Sequence, residues 1–95
     1  MDKLYILVFD RDASVDTVGL HNEIRDAHYI SNWWHYLKSA YILRTSLRPA
    51  NLRDRFTPYF GKNYFLIYEL APPHSDGYLE KKAWDWIQRQ ELDLS

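Results

Sequence analysis

Two segments of this chain are apolar at both odd and even positions, a pattern typical of strands whose sheet is covered on both faces. The first, residues 4–9, contains only apolar and aromatic residues. The second, residues 64–70, is interrupted by Glu69 alone. Since alternate side chains of a strand point to opposite faces, either face would form a large apolar patch if water reached it. The fold therefore needs cover on each face of one sheet.

Helix signals lie between and after these strands. Asp16 is a favoured N-cap residue and apolar residues follow it at helical spacing, which predicts a helix over residues 16–29. Pro49 suits the first turn of a second helix, and Pro58 is expected to end or kink that helix. A short amphipathic helix is predicted over residues 79–90, where apolar residues recur among charged ones.

Two further strands are predicted between the first two helices. Residues 33–37 and 40–45 are rich in aromatic and aliphatic residues, with a tight turn or bulge between them, and a loop is expected at residues 71–77. The order is strand, helix, strand, strand, helix, strand and a terminal helix. This order predicts the α+β class, as a ferredoxin-like βαββαβ sandwich with a C-terminal helix, in a single domain over residues 1–95.

In such a sandwich both main helices lie on one face of a four-stranded antiparallel sheet, so the other face needs separate cover. Two alternatives stay open for that cover. The C-terminal helix can lie there with Trp84 and Trp86, or a second copy of the chain can. We expect a homodimer whose contact includes the helix-free face or the edges beside it, because a closed two-fold dimer is the commonest use of a self-complementary face.

The charge of the chain is unevenly distributed, although the net charge is only −1. Residues 38–62 hold six bases and one acid, a local charge of +5, and each flank carries −3. The basic segment can be a phosphate-binding face or simply a solvated helix. The phosphate hypothesis assigns any affinity for RNA or DNA to four arginines of this segment, Arg44, Arg48, Arg53 and Arg55.

Several kinds of chemistry are excluded by what the sequence lacks. It has no cysteine, which excludes disulfides, thiolate metal sites and cysteine nucleophiles. It has no glycine-rich phosphate loop, no G-x-S-x-G elbow and no H-E-x-x-H pair. No apolar stretch approaches the length needed to span a bilayer and the N-terminus lacks a signal-peptide pattern, so we expect no membrane partner and a cytoplasmic location.

Two blocks of the sequence match a known pattern. Residues 33–45, WWHYLKSAYILRT, and residues 52–56, LRDRF, resemble the WWHxLxSxxIxxT and IRDxL blocks of small proteins called SinR-like. Those proteins are relatives of the CRISPR-associated adaptation subunit and of VapD-type toxins. The strand end at residues 7–10 and the Ala-Trp pair at 83 and 84 are also similar to that family. The resemblance covers most of the chain up to residue 70 and implies a ferredoxin-like fold.

The resemblance also implies a site. In the CRISPR-associated relatives a dimer brings the strand-end aspartates of two chains together, and some members are metal-dependent nucleases. The resemblance puts Asp10 in that role, as metal ligand and catalytic residue, with Mg²⁺ as the cofactor of a nuclease. Mg²⁺ prefers carboxylate oxygens, and Asp12 is a second candidate. The alternative for both aspartates is a turn, in which Asp hydrogen-bonds its own backbone.

Three histidines, His21, His28 and His35, follow one another at intervals of seven residues. On one helix, His21 and His28 would lie about 10 Å apart along the axis, too far to bind one metal ion. A metal site with all three would need the fold to bring them together. His35 follows two tryptophans and is interpreted as a packed, hydrogen-bonded histidine, with acid–base catalysis as the alternative.

Two functional hypotheses follow. The first is a homodimeric interaction module that can bind nucleic acid, indicated by the doubly apolar strands and the lack of a complete catalytic set. The second is a metal-dependent endonuclease that cleaves RNA or DNA through Asp10 at a dimer interface, with Asp12 and His35 as further catalytic candidates.

Overall fold

The structure is a computed structural model that describes residues 2–35, 37–71 and 81–89, the side chains of residues 83 and 88 excepted. Within these ranges the chain is a small α+β fold with one four-stranded antiparallel sheet and three helices, which confirms the predicted class. The elements in chain order are β1 (Lys3–Phe9), α1 (Thr17–Asp26), β2 (Ile30–Trp34), β3 (Ala40–Thr45), α2 (Pro49–Phe60), β4 (Phe65–Glu69) and α3 (Lys81–Gln88).

The sheet has the strand order β2-β3-β1-β4, and every neighbouring pair is antiparallel. β1 is an inner strand that pairs with β3 on one side and with β4 on the other. β2 pairs with β3 through a bulge between Ile30 and Asn32. β2 and β4 are therefore the two edge strands of the described sheet.

The main core layer lies between the sheet and the two longer helices. Both α1 and α2 turn one stripe of apolar residues, spaced by four positions, toward the same face of the sheet. Burying each such side chain stabilises the fold by about 1.5–3 kcal/mol. The buried members of this layer include Tyr5, Leu7 and Phe9 of β1, Leu20 and Ile24 of α1, and Leu52, Phe56 and Phe60 of α2.

A second, smaller core layer lies on the opposite face of the sheet. Ile87 of α3 is buried there against Leu4, Trp34 and Ile42, and Trp84 and Trp86 of the same helix pack beside it. The C-terminal helix thus covers part of this face, as one of the two alternatives expected. The part formed by neighbouring residues of β1 and β4 stays exposed, and its apolar side chains are Val8, Leu66 and Tyr68.

The first helix and the second strand differ from the sequence prediction at their boundaries. α1 ends at Asp26 instead of residue 29, because Ala27 adopts extended backbone with a ψ of 130°. β2 then begins at Ile30 instead of residue 33, since Ile30 is buried in the main core and pairs with Thr45. Because Ile30 is buried and paired, β2 begins three residues earlier than the aromatic pattern alone indicated.

The second helix continues past its internal proline to Phe60, so Pro58 does not end it. A proline inside a helix costs about 3 kcal/mol. Burial of Phe60 offsets this cost, and its ring stacks on the ring of Phe65 with the two centroids 4.4 Å apart. Gly61 follows with a φ of 58°, a conformation that favours glycine, and the helix ends there.

The predicted loop at 71–77 lies, after Ala71, outside the described residues, as do residues 79, 80 and 90 of the predicted third helix. In the ranges that the structure does describe, no helix has both the length and the hydropathy needed to cross a membrane.

Candidate functional site

A cavity of about 250 Å³ opens at one end of the sheet, on the side of the main core. Three segments form it: the end of β1, the first turns of α1, and the connection between β2 and β3. Its volume is below the range of about 300–1,000 Å³ typical of sites that enclose a drug-sized ligand. The polar side chains that line it include Arg11, His21, Asn22, His35, Lys38 and Tyr41.

Backbone hydrogen bonds hold two of these segments together. The N–H of Phe9, the last residue of β1, donates to the carbonyl of Ser39 at 3.0 Å. The N–H of Ala40 donates to the carbonyl of Leu37 at 3.2 Å, which closes the turn between β2 and β3. The turn that carries Lys38 is thereby fixed against the end of the strand that leads to Arg11.

The start of α1 is anchored from two directions. The side chain of Asp16 accepts a hydrogen bond from the N–H of Gly19 at 2.9 Å, as the N-cap prediction expected, and the Asp16 N–H donates to the Tyr59 carbonyl at 2.8 Å. A Cβ at Gly19 would lie 2.2 Å from the Asp16 carboxylate, so a larger residue there requires the capping side chain to shift. The rigid first turn sets the position of His21, which lines the cavity.

His21 contacts the cavity wall through one ring nitrogen. Its Nδ1 lies 2.9 Å from the hydroxyl of Tyr41, and its ring meets the ring of Trp33 edge-on at 5.2 Å. Burial raises the pKa of the Tyr41 phenol, with the charge of Arg11 opposing that effect, so the phenol keeps its proton at neutral pH. The Tyr41 O–H can therefore donate to His21 Nδ1, which leaves the proton of His21 on Nε2.

His35 differs from His21 in which ring nitrogen carries the proton. Its Nδ1 lies 2.8 Å from the carbonyl oxygen of Ala40, and a carbonyl can only accept, so Nδ1 carries the proton. The ring stacks flat on Tyr41, with centroids 3.8 Å apart and an angle of 6° between the planes. In the neutral ring Nε2 keeps a free lone pair. The sequence interpretation of His35 as packed and hydrogen-bonded agrees with this geometry.

The two imidazoles are neighbours in space although 14 positions separate them in the chain. Their ring centroids lie 6.3 Å apart. Each ring uses Nδ1 for a fixed contact within the fold, so Nε2 is the nitrogen left for a ligand in the cavity. His28 lies outside this pair, exposed in the turn after α1.

The charged side chains in the described lining of the cavity are cations. Arg11 and Lys38 both line it, and none of its described lining residues carries a carboxylate. An anion held there would meet fixed cations and would face no nearby carboxylate of the cavity wall. The arrangement suits a group such as a phosphate, which cations and hydrogen-bond donors recognise.

Asp10 and Asp12, the predicted metal ligands, have different surroundings. Asp10 is exposed directly after β1 and does not line the cavity. Asp12 accepts hydrogen bonds from the N–H and the hydroxyl of Ser14 at 2.9 and 2.7 Å, which lower its pKa. Asp12 thus stabilises a turn. Across the described residues no group of three or more His, Asp or Glu is placed to hold a metal ion. Asp10 as a ligand of Mg²⁺ therefore stays a prediction.

The four predicted nucleic-acid-binding arginines do not share one surface. Arg44 of β3 lies directly opposite Leu4 of β1, on the face where α3 packs, whereas α2 packs on the other face. Arg53 and Arg55 are two positions apart on α2, and such residues do not face each other. Arg44 forms an ion pair with Asp2 at 3.3 Å, and Arg53 forms one with Asp54 at 3.3 Å. The guanidinium of Arg55 lies 5.0 Å from the ring centroid of Tyr29. Arg48 is the exposed N-cap residue of α2.

Sequence reasoning missed most of this cavity. Arg11, Lys38 and Tyr41 were not proposed as one site, and His21 and His35 were considered together only as part of a metal trio with His28. One signal was present in the sequence: Arg11 follows a strand end, and Lys38 sits in a predicted turn between strands. The strand order that brings those two places together is not visible in local pattern.

Comparisons with protein-family models, with curated proteins and with solved structures found no match.

Proposed function

We propose that this chain is a small homodimeric module that binds nucleic acid, and that the cavity beside β1 takes a phosphate group of the strand. The observation that carries the proposal is the combination of Arg11, Lys38 and two imidazoles around a cavity whose described lining has no carboxylate. Phosphate contacts by cations supply most of the sequence-independent affinity for nucleic acids.

The size and position of the cavity favour a chain over a compact cofactor. Its volume of about 250 Å³ suits one phosphate and part of its sugar. The half-buried ring of His35, which stacks on the buried ring of Tyr41, adds aromatic surface of the kind that unpaired bases contact. A single-stranded segment can reach such a site, because its backbone is flexible and its bases are free to stack.

The ferredoxin-like arrangement is part of the proposal. β1 and β2 are parallel to each other with β3 between them, and β3 and β4 are parallel with β1 between them, as the antiparallel pairings require. Each parallel pair is joined through a helix, and each is split by a strand of the other, which is the pattern of a split βαβ fold. The relationship to SinR-like proteins is proposed on the same basis together with the sequence blocks.

The homodimer is proposed from the sheet face that α3 leaves open. Val8 is 37% exposed, Leu66 59% and Tyr68 48%, and these side chains lie side by side on β1 and β4. β4 is an edge strand of the described sheet, so its outer backbone groups are available to a second strand. A two-fold axis beside β4 would join two such patches and extend the sheet, which makes a second copy the occupant that we propose.

The binding proposal is tested by fluorescence anisotropy with labelled single-stranded RNA and DNA oligonucleotides. The double variant Arg11→Ala/Lys38→Ala is expected to bind about 100-fold more weakly, because it removes two charge-assisted contacts worth about 1.5 kcal/mol each. Lys81→Ala is the matched control, since Lys81 is an exposed cation on α3. The control is expected to bind like the original chain.

The arginine hypothesis is tested in the same titrations. The quadruple variant of Arg44, Arg48, Arg53 and Arg55 to alanine is expected to lose less affinity than the cavity variant. The reverse order would contradict the cavity as the phosphate site and would favour the arginines. Affinity that does not fall between about 50 and 200 mM salt would contradict phosphate binding at either place.

A further inference from the structure

We propose that His35 and His21 form a general base and general acid pair that cleaves RNA in this cavity without a metal ion. The inference rests on the proposed function, because it assumes that a phosphate of RNA occupies the cavity. It differs from the endonuclease hypothesis centred on Asp10 in the residues, in the metal requirement and in the substrate, since it requires a ribose 2′-hydroxyl.

The hydrogen bonds of the two rings assign the roles. Nδ1 of His35 donates to the Ala40 carbonyl at 2.8 Å, so Nε2 of the neutral ring is a free base. Nδ1 of His21 lies 2.9 Å from the Tyr41 hydroxyl, whose oxygen can accept the Nδ1 proton when His21 is an imidazolium, and Nε2 of that imidazolium carries the proton that His21 gives away. The two rings can thus serve as base and acid, and they line one cavity with their centroids 6.3 Å apart.

The reaction balances with these two groups alone. Nε2 of His35 accepts the proton of the 2′-hydroxyl while the 2′-oxygen forms a bond to phosphorus. The bond from phosphorus to the 5′-oxygen breaks, and that oxygen takes the Nε2 proton of the His21 imidazolium, which becomes neutral as His35 becomes charged. The products are a 2′,3′-cyclic phosphate and a 5′-hydroxyl, and the two histidines return to their first state by proton exchange with water. Arg11 and Lys38 stabilise the negative charge on the phosphate oxygens in the transition state.

The pH dependence follows from the two roles. A general base must be neutral and a general acid must be protonated, so the rate is expected to rise and then fall with pH. The charged and titratable groups that face the imidazoles are Arg11 after β1, Lys38 in the turn between β2 and β3, Tyr41 on β3, and Asp26, which lies within electrostatic reach of His21 on α1.

The experiment uses the full chain with a labelled single-stranded RNA and the all-DNA strand of the same sequence, each with EDTA and, in parallel reactions, with Mg²⁺. Cleavage is expected for RNA and not for DNA, with a cyclic phosphate identified by mass spectrometry. His35→Asn keeps a side-chain N–H for the Ala40 carbonyl but cannot accept a proton, and we expect it to reduce the rate about 100-fold or more. His21→Asn is expected to do the same. His28→Asn is the matched control and is expected to cleave at the original rate.

Three readouts separate the possible outcomes. His35→Asn should remove the acid limb of the pH profile and His21→Asn the alkaline limb, which a purely structural role would not do. Binding of 2′-O-methyl RNA, which cannot react in this way, is measured in parallel. Binding without cleavage by the original chain would overturn the acid–base pair and leave the proposed function standing, whereas absence of binding would contradict both. Cleavage that needs Mg²⁺ and is lost in Asp10→Ala would also overturn the proposal.

Discussion

Thr45, at the end of β3, is buried and polar, and its hydroxyl serves two backbone groups of the described chain. It donates to the carbonyl of Tyr29 and accepts from the N–H of Leu47 at 3.1 Å. Thr45→Val keeps the shape of the side chain and removes both hydrogen bonds. We expect a loss of about 1–3 kcal/mol in the free energy of unfolding, because the two part-buried backbone groups lose these partners.

The matched control is Thr57→Val on α2. Its hydroxyl also donates to a backbone carbonyl, that of Arg53 at 2.6 Å, but the side chain is exposed and water can replace the contact. A change within about 0.5 kcal/mol is expected there. Urea titrations of both variants give the comparison, and equal losses at the two positions would show that burial of the hydroxyl is not the cause.

At the scale of the elements, Glu23 connects α1 to α2 and to the turn before β2. Tyr29 donates to one carboxylate oxygen at 2.6 Å and Tyr59 of α2 donates to the other at 2.8 Å. The hydrogen bond from Tyr29, and then that from Tyr59, holds the pKa of Glu23 below its ordinary value of 4.5, and burial opposes this effect. Burial and the bond to Glu23 raise the pKa of Tyr29, so both phenols keep the protons that they donate.

The free energy that Glu23 contributes to stability is therefore expected to decrease at acid pH. Because its folded pKa is below the unfolded value of 4.5, the contribution is fully present above that pH and is lost as pH falls through the folded pKa. Glu23→Gln is expected to destabilise the chain by about 1 kcal/mol at neutral pH and by less near pH 3.

Urea titrations at both pH values measure this difference, with Asp54→Asn on the exposed side of α2 as the control. Asp54 makes only a surface ion pair with Arg53, so its replacement is expected to change stability within about 0.5 kcal/mol at either pH. A Glu23→Gln effect of the same size at both pH values would mean that the charge of the carboxylate is not what links the helices.

At the scale of the whole molecule, the exposed part of the second sheet face predicts the oligomeric state. Sedimentation equilibrium of the original chain is expected to give twice the monomer mass of 11.5 kDa. Leu66→Asp should convert it to the monomer without unfolding, because a carboxylate in an apolar contact loses its hydration. Leu66 is 59% exposed in the single chain, so the substitution is tolerated there.

Leu37→Asp is the matched control for the dimer. Leu37 is also an exposed apolar residue, but it lies in the turn between β2 and β3, away from the face that Leu66 shares with Val8. This variant is expected to remain a dimer. A single 11.5 kDa species for the original chain, or dissociation by both substitutions alike, would contradict a dimer formed through β1 and β4.

Local sequence pattern determined the elements and the faces of the sheet. Residues 4–9 are apolar at odd and even positions alike, which predicted that β1 has a core layer on each side. The two core layers lie on opposite faces of this strand. The N-cap at Asp16 and the helix start at Pro49 were also predicted correctly. These features depend on residues near one another in the chain, and side-chain periodicity and capping express them directly.

Tertiary structure alone decided where elements end and which residues meet. Pro58 did not end α2 because Phe60 found a partner in Phe65 on another element. The pair of His21 and His35 exists because β3 lies between β1 and β2 in the sheet, which puts the turn after β2 beside the start of α1. Strand order and register are set by packing between distant segments, so they cannot be predicted from the periodicity of any one segment.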